Sequence, residues 1–120
     1  MDKKTVVLGA TPNPDRYAYL AVAQLREKGF TPIPVGVRRG EIEGIEIIQG
    51  KPELDEVHTV TLYLNPERQR EYYNYILGLK PKRIVFNPGT ENSELARLAR
   101  EAGIEVAVAC TLVMLSIGAY

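Results

Sequence analysis

Two kinds of segment follow one another along the chain. Stretches such as Thr5–Leu8 are continuously apolar, as expected of strands that helices cover on both faces. Other stretches repeat apolar residues every three or four positions, as at Leu95, Leu98 and Ala99, which is typical of amphipathic helices. Their alternation, with short connections and no repeat or linker, predicts a single three-layer α/β domain over residues 1–120. The sheet should be mainly parallel, with right-handed crossovers.

The same pattern places the individual elements. The predicted strands are Thr5–Leu8, Phe30–Val37, Ile45–Ile48, Thr59–Leu64, Arg83–Asn87 and Glu105–Ala109. The predicted helices are Pro14–Lys28, Glu67–Leu79, about Asn92–Ala102, and a closing turn within Cys110–Leu115. Asn13 before Pro14 and Asn65 before Pro66 match the residues preferred at a helix N-cap and first position. Pro32 and Pro34 remove donors along one side of the second strand, so we expect that strand to pair mainly along its other edge.

Four loops should meet at the C-terminal edge of this sheet, where ligands of such folds bind near the reversal of strand order. They are residues 9–13, 36–40, 65–66 and 87–90. Gly9 ends the first strand, and the chain then turns directly towards a helix, whose N–H groups and dipole face the space above the sheet. This arrangement suits a phosphate, although an ordinary strand-to-helix turn has the same sequence.

The composition excludes several classes of partner and site. The chain has 15 Lys and Arg against 15 Asp and Glu, so no net field draws it to nucleic acid or to an anionic membrane, and any anion site must be local. No apolar run is long enough for a signal peptide or a membrane span, and we therefore expect a cytoplasmic protein. One cysteine, Cys110, and one histidine, His58, form neither an internal disulfide nor a zinc site of the usual type.

The loop after the first strand departs from the dinucleotide-binding fingerprint, which needs three spaced glycines. Only Gly9 is present, with Thr11 and Asn13 near the positions of the other two. The second strand is followed by Arg38 and Arg39 in place of the acidic residue that takes the ribose hydroxyls of NAD. Guanidinium groups there suit a ribose phosphate, which both NADP and coenzyme A (CoA) carry. The alternative is that both arginines are solvated surface charge.

Three segments together resemble a known family. Residues 9–17, 35–40 and 86–92 are similar to the small stand-alone CoA-binding proteins related to the CoA-binding domain of the succinyl-CoA synthetase α subunit. The resemblance covers essentially the whole chain and implies a Rossmann-like fold that binds CoA. It also implies that loop 9–14 holds phosphate, that the basic loop meets the 3′-phosphoadenosine end, and that loop 87–89 follows the pantetheine arm.

The resemblance and the loops at the sheet edge together select the candidate binding residues. These are Gly9, Ala10, Thr11, Asn13, Pro14, Arg16, Tyr17, Gly36, Arg38, Arg39, Asn65, Asn87, Pro88 and Gly89. Tyr17 either lines the pocket or packs beneath the helix. Gly36 and Val37 stand where many relatives have asparagine and proline, which leaves the contact there open.

No catalytic constellation is visible in the sequence. His58 starts a strand at the edge opposite the loops, so we expect a structural or surface role. The chain ends before the synthetase domain that carries the phosphorylated histidine, so the resemblance does not imply ligase activity. Cys110 follows the last strand and is either a small buried residue or a thiol that meets the thiol of bound CoA.

The leading hypothesis is a protein that binds CoA or an acyl-CoA through these loops without catalysis of its own. The alternative is a small redox or transfer protein that uses NADP or CoA disulfide with Cys110 as the reactive thiol. A third reading is a domain kept only for protein contacts. A homo-oligomer or an unidentified protein partner is compatible with each of them.

Overall fold

Seven short strands and five helices make up the computed structural model, which describes residues 2–120. The strands are β1 (Thr5–Leu8), β2 (Pro32–Val35), β3 (Glu41–Ile42), β4 (Ile45–Glu46), β5 (Thr59–Leu62), β6 (Arg83–Phe86) and β7 (Glu105–Val108). The helices are α1 (Tyr17–Glu27), α2 (Pro66–Gln69), α3 (Tyr73–Gly78), α4 (Ser93–Glu101) and α5 (Thr111–Ser116). Not one of these helices has the length and apolar character that crossing a membrane requires.

Five of the strands form one parallel sheet in the order β2-β1-β5-β6-β7. Consecutive side chains of β1 point to opposite faces, so Val6 and Leu8 pack into one apolar cluster and Val7 into another. Residues from α3 and α4 complete the first cluster, and residues from α1 and α5 complete the second. The predicted three-layer α/β domain with a parallel sheet is confirmed.

The first helix begins one turn later than predicted, at Tyr17 rather than Pro14. Asn13 does not cap it. The Asn13 side-chain oxygen accepts the Asp15 N–H at 3.0 Å, and its carbonyl accepts the Arg16 N–H at 3.2 Å. Asparagine side chains stabilise such local turns in competition with a helix, and this turn delays the start of α1.

The second strand is the short segment β2, and its prolines act as expected. The Thr31 carbonyl accepts the N–H of Thr5 in β1, and the Val35 carbonyl accepts that of Gly9 just after β1. The backbone groups of the alternate residues, Pro32 and Pro34, therefore lie on the outer side. The predicted third strand, Ile45–Ile48, is wrong as one unit. Ile45 and Glu46 form an antiparallel hairpin with β3, and Ile48 makes a separate parallel bridge to Val35.

The predicted helix Glu67–Leu79 is divided in two. Asn65 caps α2 as expected, since its side chain accepts the Arg68 N–H and Pro66 takes the first position. A 3₁₀ turn over Arg70–Tyr72 then separates α2 from α3. Tyrosines at 72, 73 and 75 lose side-chain freedom in a regular helix, which favours a break in this region.

Candidate functional site

A cleft of about 900 Å³ opens at the C-terminal ends of β1 and β5. The strand order reverses between these two strands, because β2 lies on one side of β1 while β6 and β7 follow β5 on the other. Loops that leave neighbouring strands in opposite directions enclose a crevice, and ligands of open α/β sheets bind there. All four loops predicted to form a site contribute residues to this cleft.

Two glycines allow the loops to approach one another closely. A Cβ on Gly36 would lie 2.1 Å from the Ala10 carbonyl oxygen, so only glycine fits where the loop after β2 crosses the loop after β1. Gly9 has φ of +100°, and a Cβ there would meet the Tyr63 backbone at 3.0 Å. The floor of the cleft therefore depends on the absence of both side chains.

The backbone donors of the first loop are partly used within the fold. The N–H groups of Gly9 and Ala10 both donate to the Val35 carbonyl, at 2.9 and 3.0 Å. These two N–H groups are therefore not available to a ligand. Instead, the bonds fix the first loop against β2.

The start of α1 is the part of this region with open donors. Arg16 is the N-cap residue, and no side chain of the described residues caps the helix there. Tyr17 and Ala18 occupy the first two helical positions, whose N–H groups have no acceptor within the helix. Both residues line the cleft, so the positive end of the α1 dipole faces it.

Positive charge dominates the lining. Arg16, Arg38 and Arg68 face the cleft together with one acidic residue, Glu71. The ion pairs between residues 2 and 120 join Arg70 to Glu67 and Arg97 to Glu101, and so leave the three cleft arginines free. A chain without net charge thus concentrates cationic groups in one concave place.

Exposed apolar groups stand at the rim. Tyr17 is 71% exposed and Val37 is 68% exposed, and both line the cleft. Tyr17 therefore lines the pocket and does not pack beneath the helix. The cleft therefore combines cations with uncovered apolar surface, a combination that ligand-binding pockets share.

Asn87 lies behind the cleft rather than in it. It is 2% exposed, and its amide group donates to Thr61 Oγ1 at 2.7 Å and to the Leu62 carbonyl at 2.8 Å. Its side-chain oxygen accepts the Thr111 N–H at 2.9 Å. Both N–H donors and the oxygen of the side chain are thus engaged within the fold. Asn87 is a positioning residue that fixes the loop carrying Pro88 and Gly89 to β5 and α5.

A second buried amide connects two loops at the far side. The Gln69 side chain donates to the Leu64 carbonyl at 2.9 Å and to the Thr90 carbonyl at 2.8 Å, and it accepts a hydrogen bond from Asn92. Leu64 and Thr90 both line the cleft. Gln69 therefore fixes the distance between the loops that carry Leu64 and Thr90.

Eleven of the fourteen predicted residues line the cleft. They are Gly9, Ala10, Thr11, Asn13, Arg16, Tyr17, Gly36, Arg38, Asn65, Pro88 and Gly89. The remaining three, Pro14, Arg39 and Asn87, lie outside it. Pro14 lies in the exposed turn before α1, and Arg39 is exposed in the loop after β2.

Sequence reasoning missed eight lining residues. These are Ala18, Val37, Tyr63, Leu64, Arg68, Glu71, Tyr72 and Thr90. Asn65 and Pro66 predicted where a helix begins beside the cleft. Its first two turns carry Arg68 and Glu71, so both residues could have been included from the sequence. Tyr72 is buried in the core and also borders the cleft.

The two groups considered for chemistry both lie outside the cleft. Cys110 is half-buried at the start of α5 and does not line the cleft. His58 lines a smaller groove of about 560 Å³ at the opposite edge, together with Lys4, Lys80 and Lys82. Burial lowers the pKa of His58, and the nearby Arg83 lowers it further. Within residues 2–120, no three His, Cys, Asp or Glu side chains group as metal ligands.

The chain matches one family model over residues 3–116, that of the CoA binding domain. The chain belongs to the CoA binding domain family. No curated protein matches it. The suggested resemblance is therefore confirmed at the level of this family.

Solved structures share the fold over most or all of this chain. An uncharacterized protein is 55% identical, with a TM-score of 0.97 over 100% of this chain and 99% of that chain. A Thermus thermophilus protein is 26% identical, with a TM-score of 0.85 over 99% of this chain and 91% of that chain. A dinucleotide-forming acetyl-coenzyme A synthetase of Ca. Korarchaeum cryptofilum is 18% identical and shares the fold alone, with a TM-score of 0.73 over 89% of this chain and 25% of that chain.

Proposed function

We propose that this domain binds coenzyme A, free or acylated, in the cleft at the C-terminal edge of the sheet, without catalysis of its own. The observation that carries the proposal is the cleft itself. In a chain that belongs to the CoA binding domain family, three arginines without ion pairs and the start of α1 converge on the reversal point of strand order. Anionic ligands are favoured by both features.

The distribution of groups suggests how CoA lies. The diphosphate would face the start of α1 and Arg16, where helix N–H groups and a guanidinium are available. Arg38, after β2, would take the 3′-phosphate of the ribose. Pro88 and Gly89 would border the uncharged pantetheine arm, and the exposed Tyr17 and Val37 offer apolar contact to the base.

The absence of catalysis is proposed from the composition of the lining. The residues that line the cleft include neither cysteine nor histidine, and the nearest candidate thiol, Cys110, does not line it. A covalent step through Cys110 would therefore need a rearrangement of the start of α5. This supports a binding module over the redox alternative that uses NADP or CoA disulfide.

Calorimetric titration with CoA, 3′-dephospho-CoA and NADP tests the proposal, on protein freed of carried-over ligand and checked by mass spectrometry. We expect CoA to bind, and affinity to fall about tenfold or more, or about 1.4 kcal/mol, without the 3′-phosphate. The Cys110→Ala variant serves as the matched control and should bind CoA with unchanged affinity. Tighter binding of NADP than of CoA, or dependence on Cys110, would favour the redox alternative, and no binding would refute CoA as the ligand.

A further inference from the structure

The two edge strands of the sheet differ in how well they are protected. On β2, the outward-facing backbone positions include Pro32 and Pro34, which have no N–H to offer. Ile48 covers the rest of that edge by accepting the Gly36 N–H and donating to the Pro34 carbonyl. Prolines and covering segments are devices that prevent edge-to-edge association. The β2 edge is therefore closed to another strand.

The opposite edge, β7, has none of these devices. Glu105 and Ala109 donate to β6, so the alternate residues Val106 and Val108 direct their N–H and carbonyl groups outward. The strand contains neither lysine nor proline, and no described residue pairs with its outer side. Val108 is 67% exposed. This is an apolar edge with free hydrogen-bonding groups.

Apolar exposure continues into the element after this strand. Val113 and Ile117, in and just after α5, are 54% and 70% exposed. Together with Val108 they are half of the large hydrophobic residues that the described chain leaves exposed. The others are Tyr17 and Val37, which line the cleft, and Leu20 on α1. None of Val108, Val113 and Ile117 lines the cleft, so their exposure is separate from it.

We propose that β7 pairs with β7 of a second copy of this chain, antiparallel about a two-fold axis at Ala107, and so forms a continuous ten-stranded sheet. With this register, Val106 of each copy lies opposite Val108 of the other, and the outward backbone groups of both residues are satisfied. Apolar cross-strand pairs form between Val108, which is otherwise exposed, and Val106, which is half-buried against the first cluster. Ala107, the residue on the axis, is small enough for close approach.

Charge and topology both favour a second copy as the occupant. In this register Glu105 lies opposite Ala109 of the other copy, and the two Glu105 side chains stand about 13 Å apart, so like charges do not face each other. Pairing of β7 with β2 would generate an open-ended filament, but the prolines of β2 prevent it. Association through β7 alone closes as a dimer.

Sedimentation velocity on the whole chain, over micromolar to submillimolar concentrations, tests the oligomeric state. We expect a dimer. Val108→Pro removes one outward N–H and leaves the bonds to β6 intact, as Pro32 and Pro34 do on β2, so it should yield a folded monomer with an unchanged circular dichroism spectrum. A wild-type protein that stays monomeric throughout this range would overturn the proposal.

Cysteine cross-linking tests the register independently. In a Cys110→Ala background, Ala107→Cys should form an intermolecular disulfide on oxidation, because Cα atoms of non-hydrogen-bonded antiparallel pairs are about 4.5 Å apart and within disulfide range. The matched variant Ala109→Cys should not, since the two copies of that residue stand about 13 Å apart in this register. A dimer that Val108→Pro leaves intact, or that Ala107→Cys does not cross-link, would assign the interface to another surface.

Discussion

Polar side chains at the two ends of the parallel sheet have opposite surroundings. At the N-terminal end, Arg83 is only 8% exposed, its Nε donates to Thr59 Oγ1 at 3.1 Å, and its guanidinium lies 4.4 Å from the ring centre of Tyr120. Lys3 donates to the Tyr120 carbonyl, and Thr5 hydrogen-bonds to the Tyr120 hydroxyl. These groups are engaged with one another and stabilise the fold.

At the C-terminal end, the arginines are exposed and free of ion pairs. Arg16, Arg38 and Arg68 point into a cleft that the glycines at 9 and 36 keep open. The same residue type is thus a structural element at one end and an available cation at the other. The comparison teaches that residue type alone does not assign a role, and that burial and existing partners do.

The largest effect is expected where the cleft depends on a missing side chain. Gly36→Ala places a Cβ 2.1 Å from the Ala10 oxygen, so the two loops must separate. We expect a loss of stability of about 3 kcal/mol, and a more than tenfold loss of CoA affinity, measured by denaturant unfolding and calorimetry. Gly78→Ala, where a Cβ meets nothing within 4 Å, is the control and should retain both properties. Wild-type affinity in Gly36→Ala would show that the loop contact is dispensable.

The next largest effect separates the buried Arg83, which stabilises the fold, from the exposed arginines that line the cleft. Arg83→Ala removes a buried cation with hydrogen bonds to Thr59 and Tyr120, and should reduce the free energy of unfolding by about 2 kcal/mol. CoA affinity should not change, because Arg83 lies at the far end of the sheet. Chemical denaturation followed by calorimetry measures both quantities. If CoA binding weakened while stability stayed constant, the contrast between the two ends would fail.

Adjacent arginines give a smaller and more selective effect. Arg38 lines the cleft and Arg39 does not, although the two are sequence neighbours. Arg38→Ala should weaken CoA binding about tenfold, or about 1.4 kcal/mol, and affect 3′-dephospho-CoA much less. Arg39→Ala is the matched control and should have little effect on either ligand. Equal losses for the two variants would indicate general electrostatic attraction rather than a contact by Arg38.

The smallest predicted effect is the pH dependence of stability that His58 causes at the N-terminal end of the sheet. Burial and nearby cations hold the pKa of His58 below its ordinary value of 6.5, so the unfolded chain takes up a proton before the folded chain as the pH falls. Stability should therefore decrease below about pH 6.5. The pKa of Asp2 is lowered from its ordinary value of 3.8, so protonation of Asp2 affects stability only at lower pH. Thermal unfolding at pH 7 and 5.5 should show a smaller decrease for His58→Asn than for the wild type, and an equal decrease would contradict the assignment.

The sheet was predictable from sequence because its signals are local. Apolar strand patterns, continuous in Thr5–Leu8 and alternating in Thr59–Leu64, identified the five parallel strands, and Pro32 and Pro34 identified the protected edge of β2. The start of α1 was not predicted correctly, because the same Asn13 that suits an N-cap also forms the competing turn to Asp15. Local preferences decide such positions only when one of them clearly dominates.

The site was predictable at the level of loops but less so for individual side chains. Strand ends and topology placed the loops together, whereas the direction of each side chain depends on tertiary contacts. Asn87 was selected as a binding residue, yet it is drawn inward by Thr61 and Thr111. Arg68 was missed because its position depends on the 66–69 helix being placed beside the cleft. The directions of these side chains are set by tertiary packing between distant segments, which no single segment of the sequence reveals.

The most direct test of the central claim is a CoA titration followed by amide chemical shifts in two-dimensional NMR. We expect saturable perturbations at Thr11, Tyr17, Arg38 and Gly89, which line the cleft on separate loops and on α1. Residues His58 and Lys82, in the groove at the opposite edge, should remain unperturbed. Perturbations confined to that groove, or none at high CoA concentration, would contradict the assignment of the cleft as the CoA site.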